Sequence, residues 1–171
     1  MIMRTDSRLS IALAALITAA GIFMSCDSDI AYTLEGTWEG DMFQEYIWEG
    51  TTYCPSYTQV TFLKDPYTYS SGDGYWVDYF DSWIPWKNTV VTNHIDWTVR
   101  DGNIFIHLFE DNIDFIISDY HLDEEIFRGE LSGSDGSYGR FRLHYAGRPF
   151  ATRSTEGTET GERPQRVTVR K

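Results

Sequence analysis

The dipeptide Asp101-Gly102, set between two runs that alternate apolar and polar residues, constrains this chain more than any other feature. Asp-Gly readily adopts the positive φ angles of a two-residue hairpin turn, and such a turn matches the twist of the strands it joins. Upstream, Val91, Asn93, Ile95, Trp97 and Val99 alternate with Val90, Thr92, His94, Asp96, Thr98 and Arg100. This is the period of a half-buried strand with one apolar face. Downstream, Asn103 to Phe109 reads as the return strand. The turn fixes the register, so Arg100 faces Asn103, Val99 faces Ile104, Trp97 faces Ile106 and Ile95 faces Leu108. The last three pairs share one face, which is predicted to be the core.

The same grammar recurs on both sides. Ile113 to His121, Ile126 to Leu131 and Gly139 to Tyr145 read as strands, with Gly133-Ser134-Asp135-Gly136 as a turn. Thr37 to Trp48, Tyr57 to Leu63 and Gly74 to Phe80 are strand-like as well. No long helix is predicted in the body of the chain. About eight closely spaced strands predict an all-β, antiparallel meander, either an up-and-down barrel or a sandwich. With 171 residues, the chain has room for one domain and its appendages. Its 6 Trp, 11 Tyr and 10 Phe supply enough ring surface to build a core, which excludes global disorder of the middle.

The N-terminus has a different character. After Arg4 and Arg8, the apolar stretch Leu9 to Phe23 is short for a membrane span but suits the hydrophobic region of a secretory signal. Phe23-Met24-Ser25-Cys26 follows and resembles the lipobox of bacterial lipoproteins. The resemblance implies that residues 1–25 are a signal peptide and that Cys26 carries lipid. Several acyl chains would anchor the chain stably, at about 0.8 kcal/mol per buried CH₂. Asp27-Ser28-Asp29 then opens an expected acidic tether over 26–33. An acidic cluster at this place resembles the surface-export signal of Bacteroidetes lipoproteins, although in some other Gram-negative bacteria Asp after Cys favours inner-membrane retention. The expectation is a lipid anchor in the outer membrane, with surface exposure left open. With Cys26 lipidated, Cys54 has no disulfide partner in the chain; it is expected as a buried small residue or a free thiol.

Leu34-Glu35-Gly36-Thr37-Trp38 has the pattern L-x-G-x-W at the start of the first strand. It resembles the opening signature of lipocalins and of lipocalin-like lipoproteins of the Bacteroidetes. The resemblance implies a lipocalin-like barrel of about eight strands over 34–146. In that family the Trp plugs the closed end and a base from the last strand packs across it. This assigns Trp38 and, on the last strand, Arg142 to barrel closure. From Gly147 onward apolar content falls, so 147–171 is expected to be a disordered basic tail.

Charge and motifs narrow the function. Of the formal net charge of −12, residues 1–25 contribute +1 and residues 147–171 contribute +3, which leaves −16 on 26–146. So acidic a body repels phosphate backbones, and nucleic acid is not an expected partner. The basic tail is suited to an acidic partner or to lipid phosphate. His94, His107, His121 and His144 lack metal-ligand spacing, and there is no phosphate loop or nucleophile elbow. Asp96 opposite His107 reads as a surface ion pair, and Asp78 with Asp81 is one of many acid pairs in an acidic chain. The chain is therefore not expected to be an enzyme, and no metal or cofactor is expected. The richest stretch runs from Tyr75 to Trp86, where rings interleave with carboxylates. Tyr75, Trp76, Tyr79, Trp83 and Trp86 are the candidate contacts for a small apolar or glycan ligand at a barrel mouth. The other reading is a solid barrel, a structural or interaction module of a cell-surface or outer-membrane complex, with those rings filling the core.

Overall fold

The structure, a computed structural model, describes residues 27–81, 84–86, 89–148 and 164–168. The signal segment, Cys26 and Trp83 lie outside the described residues. Among the described residues, no helix is long and apolar enough to cross a membrane.

The Asp-Gly hairpin forms as the sequence predicts. Strands β6 (Val90–Arg100) and β7 (Asn103–Leu108) pair Arg100 with Asn103, Val99 with Ile104, Trp97 with Ile106 and Ile95 with Leu108. Asp101 and Gly102 take φ of 53° and 73°, as this turn requires. Val91, Asn93, Ile95, Trp97 and Val99 are all buried.

The remaining wall strands are β1 (Gly36–Asp41), β4 (Tyr57–Lys64), β5 (Ser71–Tyr79), β8 (Ile113–Leu122), β9 (Ile126–Gly133) and β10 (Tyr138–Gly147). They close an eight-stranded antiparallel barrel in the order β1-β10-β9-β8-β7-β6-β5-β4. Closure comes from β1, which pairs with β10 on one side and β4 on the other. The expected all-β barrel is therefore present, and a sandwich is excluded.

Between β1 and β4 the chain leaves the wall. The expected single strand from Thr37 to Trp48 is instead two, β1 and β2 (Gln44–Trp48), in different sheets. The break falls at Phe43, whose φ is 49° and whose amide donates to Asp41 Oδ1 at 2.6 Å. Strand β3 (Thr51–Tyr53) returns along β2. The third member of this small sheet is β11 (Gln165–Thr168), paired antiparallel with β2. This corrects the expected disorder of the tail at 164–168. The local sequence carries no such signal, because the segment is held by a distant strand and by one buried arginine described below.

The two barrel ends are closed by different devices. At the end holding the Asp101-Gly102 turn, residues 27–34 form a helix, α1, and not a tether. Its Ala31 and Leu34 are fully buried in the core cluster with Trp38, and Trp38 Nε1 donates to Leu34 O at 2.8 Å. Asp27 accepts from the amides of Asp101 and Gly102 at 3.1 and 2.9 Å, which ties the start of α1 to the hairpin. Trp38 is fully buried at this end, but Arg142 does not cover it. Arg142 pairs with Asp41 on the strand ladder and is exposed, while its neighbours Phe141 and Leu143 are buried. Period two sends alternate residues to opposite faces, so an inward Leu143 forces Arg142 outward. Arg140 likewise faces out, 3.3 Å from Glu130. The edge-on ring partners of Trp38 are Phe127 at 5.7 Å and Tyr145 at 5.2 Å. Gly36 of the L-x-G-x-W motif has φ of 143°, and a Cβ there would collide with the Tyr145 ring.

Candidate functional site at the barrel mouth

Rings from opposite walls meet across the lumen. Trp76 of β5 stacks on Phe115 of β8 at 5.7 Å, and Phe62 of β4 meets Phe127 of β9 at 6.4 Å and Trp97 of β6 at 5.7 Å. Phe127 also meets Phe141 at 4.7 Å. Large inward side chains suffice to fill an eight-stranded barrel, and here rings from facing strands touch across it.

Above this apolar layer, at the end opposite α1, lies a buried ion cluster. Asp78, near the end of β5, points inward and is fully buried. Its Oδ2 accepts from Tyr46 Oη of β2 at 2.6 Å and from Trp76 Nε1 at 3.0 Å, and its Oδ1 accepts from Thr58 Oγ1 of β4. Arg166 of β11 inserts beside it. Nη2 lies 2.8 Å from Asp78 Oδ2, and Nε donates to Asp111 Oδ2 at 2.7 Å. Asp111 sits in the β7–β8 turn, held by Asn93 Nδ2 at 3.0 Å and by its own amide on Asn93 Oδ1 at 3.1 Å. The guanidinium also lies over two rings, 5.1 Å from the centroid of Tyr46 and 5.0 Å from that of Trp76.

The cluster follows from desolvation. A carboxylate this deep is tolerated only with hydrogen bonds and a counter-charge. Burial alone would lower the pKa of Arg166. Tyr46, Asp78 and Asp111 outweigh it and hold the guanidinium above its usual value, so it stays charged. Burial raises the Tyr46 phenol well above its ordinary range; Arg166 opposes that rise, while Asp78 and Asp111 add to it. The pairing is incomplete: among the described residues Arg166 Nη1 has no hydrogen-bond partner, and Nη2 meets Asp78 without hydrogen-bond geometry.

An aromatic lid covers the cluster. Tyr46, Phe80, Trp86 and Val91 form a second buried group with Trp48, Tyr53 and Ile84 packed on it. Trp86 meets Phe80 at 5.2 Å and Tyr53 at 5.0 Å.

Of the predicted ligand contacts, the four that the structure describes lie in different places, and Trp83 is outside the described residues. Trp76 is inside the barrel, and Trp86 belongs to the lid. Tyr75 and Tyr79 lie half-buried on the outer wall, Tyr75 against His94 at 5.1 Å and Tyr79 stacked on Tyr57 at 4.4 Å. Alternation along β5 separates them, as it separates Arg142 from Trp38. Near the Tyr57–Tyr79 pair, Glu39, Gly40, Tyr57, His144, Tyr145 and Ala146 line an open depression of about 480 Å³ on the outer wall.

Other sequence candidates resolve simply. Of the acid pair, Asp78 is in the ion cluster and Asp81 is exposed. Asp96 does stand opposite His107 on the β6–β7 ladder, but the His107 ion pair is with Asp114 of β8 at 2.7 Å. Cys54 is an exposed free thiol and not a buried residue. Among the described residues, no three His, Cys, Asp or Glu side chains are grouped to hold a metal ion. Sequence reasoning missed Tyr46, Thr58, Asn93, Asp111 and Arg166. Asn93 carried a signal, as the one polar member of an otherwise apolar strand face.

Neither known family models, nor curated proteins, nor solved structures yield a match to this chain.

Proposed function

We propose that this chain is a lipid-anchored, non-catalytic interaction module of the bacterial envelope, held at one barrel end and displaying the other. The observation that carries the reading is the contact of rings across the lumen. Among the described residues, rings from opposite walls touch, which favours the solid module over a hollow carrier.

The anchored end would be that of α1. Cys26 immediately precedes a helix whose Ala31 and Leu34 sit in the core, so lipid on Cys26 would hold this barrel end against the bilayer without a long tether. Tyr67 and Tyr69, in the β4–β5 turn at the same end, are 94% and 79% exposed. Tyr32 of α1 is also exposed and lies beside Lys64, 5.8 Å from its ammonium. Exposed tyrosines suit the membrane–water interface, where an amphipathic ring is half wet. By strand order, the acidic β8–β9 turn with Asp123, Glu124 and Glu125 lies on the opposite side of the circumference, clear of that contact. The anchor in this reading is in the outer membrane.

The test is metabolic labelling with a palmitate analogue, followed by membrane fractionation. The expected result is label on the wild-type chain and none on Cys26→Ala, with the variant released from membranes. Label retained on the variant refutes the anchor. A screen of small apolar compounds and glycans against the soluble barrel should find no occupant of the interior; one bound inside would refute the solid module.

A further inference from the structure

We infer that the barrel mouth is a recognition site for an extended peptide strand bearing an arginine, and that the chain's own residues 164–168 occupy it in cis. The inference goes beyond the anchored-module reading and does not depend on the lipid.

Three observations carry it. First, the barrel is complete without β11. Its eight strands close on themselves, and among the described residues β11 pairs with β2 alone, outside the wall. The tail thus adds a strand to a pre-existing edge, as in peptide recognition by strand addition. Its register sets Gln165 to Thr168 against Ile47 to Gln44. Second, the one anchoring side chain enters a cup suited to a guanidinium. Asp78 and Asp111 offer carboxylates to two of its edges, and Tyr46 and Trp76 offer ring faces at 5.1 and 5.0 Å. Carboxylates meet the guanidinium fork in its plane and rings attract it, which together distinguish arginine from lysine. All four cup residues belong to β2, β5 and the β7–β8 turn, and Asp78 keeps three donors besides Arg166. The cup therefore belongs to the body of the protein. Third, the chain's own arginine fits it imperfectly. Arg166 is buried with Nη1 unpartnered. A buried donor left unmade weakens the hold of the insert, so the tail is displaceable.

Charge points the same way. The mouth belongs to a segment of charge −16, and the insert comes from a segment of +3. An external strand with an arginine would meet the same field. Because the tail is covalently joined through residues 149–163, it competes at high effective concentration, and an external strand succeeds only by outcompeting it or after the tail is cut.

The experiment uses the whole chain, folded first. A protease site is placed within 149–163 and cut after folding, and a fluorescent peptide spanning residues 162–170 is added. The expected result is exchange of the cut tail for the labelled peptide, with saturable anisotropy. The peptide with Arg166→Ala should bind at least about thirtyfold more weakly, since truncating one partner of a buried, hydrogen-bonded charge pair costs at least about 2 kcal/mol. The Arg166→Lys peptide should also be weaker than the arginine peptide. The uncut chain should take up far less of any of them. A cut tail that never exchanges would make β11 a permanent part of the small outer sheet and overturn the inference. Equal binding of the Arg166 and Arg166→Ala peptides would overturn it as well, because the cup would then recognise nothing.

Discussion

Replacing Arg166 by Met tests the ion cluster on which the mouth rests. Met keeps much of the side-chain volume and removes the charge, which leaves Asp78 and Asp111 buried without their shared cation. Removing one partner of a buried pair costs about 3–5 kcal/mol. A domain of this kind has roughly 5–15 kcal/mol in all, so the variant should remain folded but be visibly weakened. With a urea slope of about 2 kcal/mol/M, the midpoint should fall by about 2 M. The assay is urea unfolding followed by tryptophan fluorescence, since Trp38, Trp76 and Trp97 are all buried. Asp78→Asn makes the partner measurement. It keeps the shape and one carbonyl acceptor among Tyr46, Thr58 and Trp76, but removes the charge that Arg166 answers. Arg166 and Asp78 touch, so the double variant should cost less than the sum of the singles by about 1–3 kcal/mol. A cost under about 1 kcal/mol for Arg166→Met, with no coupling to Asp78→Asn, would show that the tail is not seated in the mouth.

Trp97→Ala should lose about 3–5 kcal/mol in the same assay, because Trp97 is buried between Phe62 and the hairpin partner Ile106; a loss under about 1 kcal/mol would invert the face assignment. Gly36→Ala should lose at least about 1 kcal/mol, from backbone strain at φ of 143° and the collision with Tyr145; unchanged stability would remove the steric reason for the L-x-G-x-W glycine. The Asp123 carboxyl, bound first by the amides of Glu125 and Ile126 and then by His121, should titrate at about 2 by NMR. Its folded pKa is depressed, so its contribution to stability is present above the ordinary carboxylate range and disappears as pH falls toward 2; a midpoint near 4 would mean the β8–β9 turn is not capped in this way. On vesicles carrying the lipidated chain, Tyr67→Trp should be quenched by brominated lipid and Glu124→Trp should not; equal quenching would sink the proposed membrane contact through the β4–β5 turn.

The parts of the fold legible in the sequence were those fixed by local pattern. Period two and one Asp-Gly turn determined the β6–β7 register to the residue, and with it the burial of Ile95, Trp97 and Val99. What was missed depends on distant partners or on mixed signals. Helix α1 reads as a polar tether from its acidic start, yet Ile30, Ala31 and Leu34 fall on one helical face, and acids at a helix N-terminus favour the dipole. The β1–β2 break lacks Gly or Pro and rests on an Asp41 side chain and a Phe in a left-handed conformation. The tail strand pairs across more than a hundred residues, and nothing in Gln165–Thr168 alone names Gln44–Trp48 as its partner. The candidate ligand residues that the structure describes are kept apart for a simpler reason. They were grouped by proximity in sequence, and a strand sends neighbours to opposite faces.

The same rule decides between the two ways of closing this barrel. A base packed over Trp38 requires an inward position on β10, and Phe141 and Leu143 already hold the inward positions of that strand. The plug is therefore supplied from outside the wall, by α1, whose Leu34 carbonyl takes the indole N–H and whose Asp27 is fastened to the β6–β7 turn. At the mouth, among the described residues, the inward ends of β5 and β6 offer Asp78 and Asn93 and no base. There the cation comes from β11. Both closures are thus made by segments flanking the barrel in sequence. The α1 closure is apolar and joined directly to strand β1. The β11 closure rests on one incompletely paired guanidinium at the end of a long connection. Of the two, the mouth is the end that a competing strand can open.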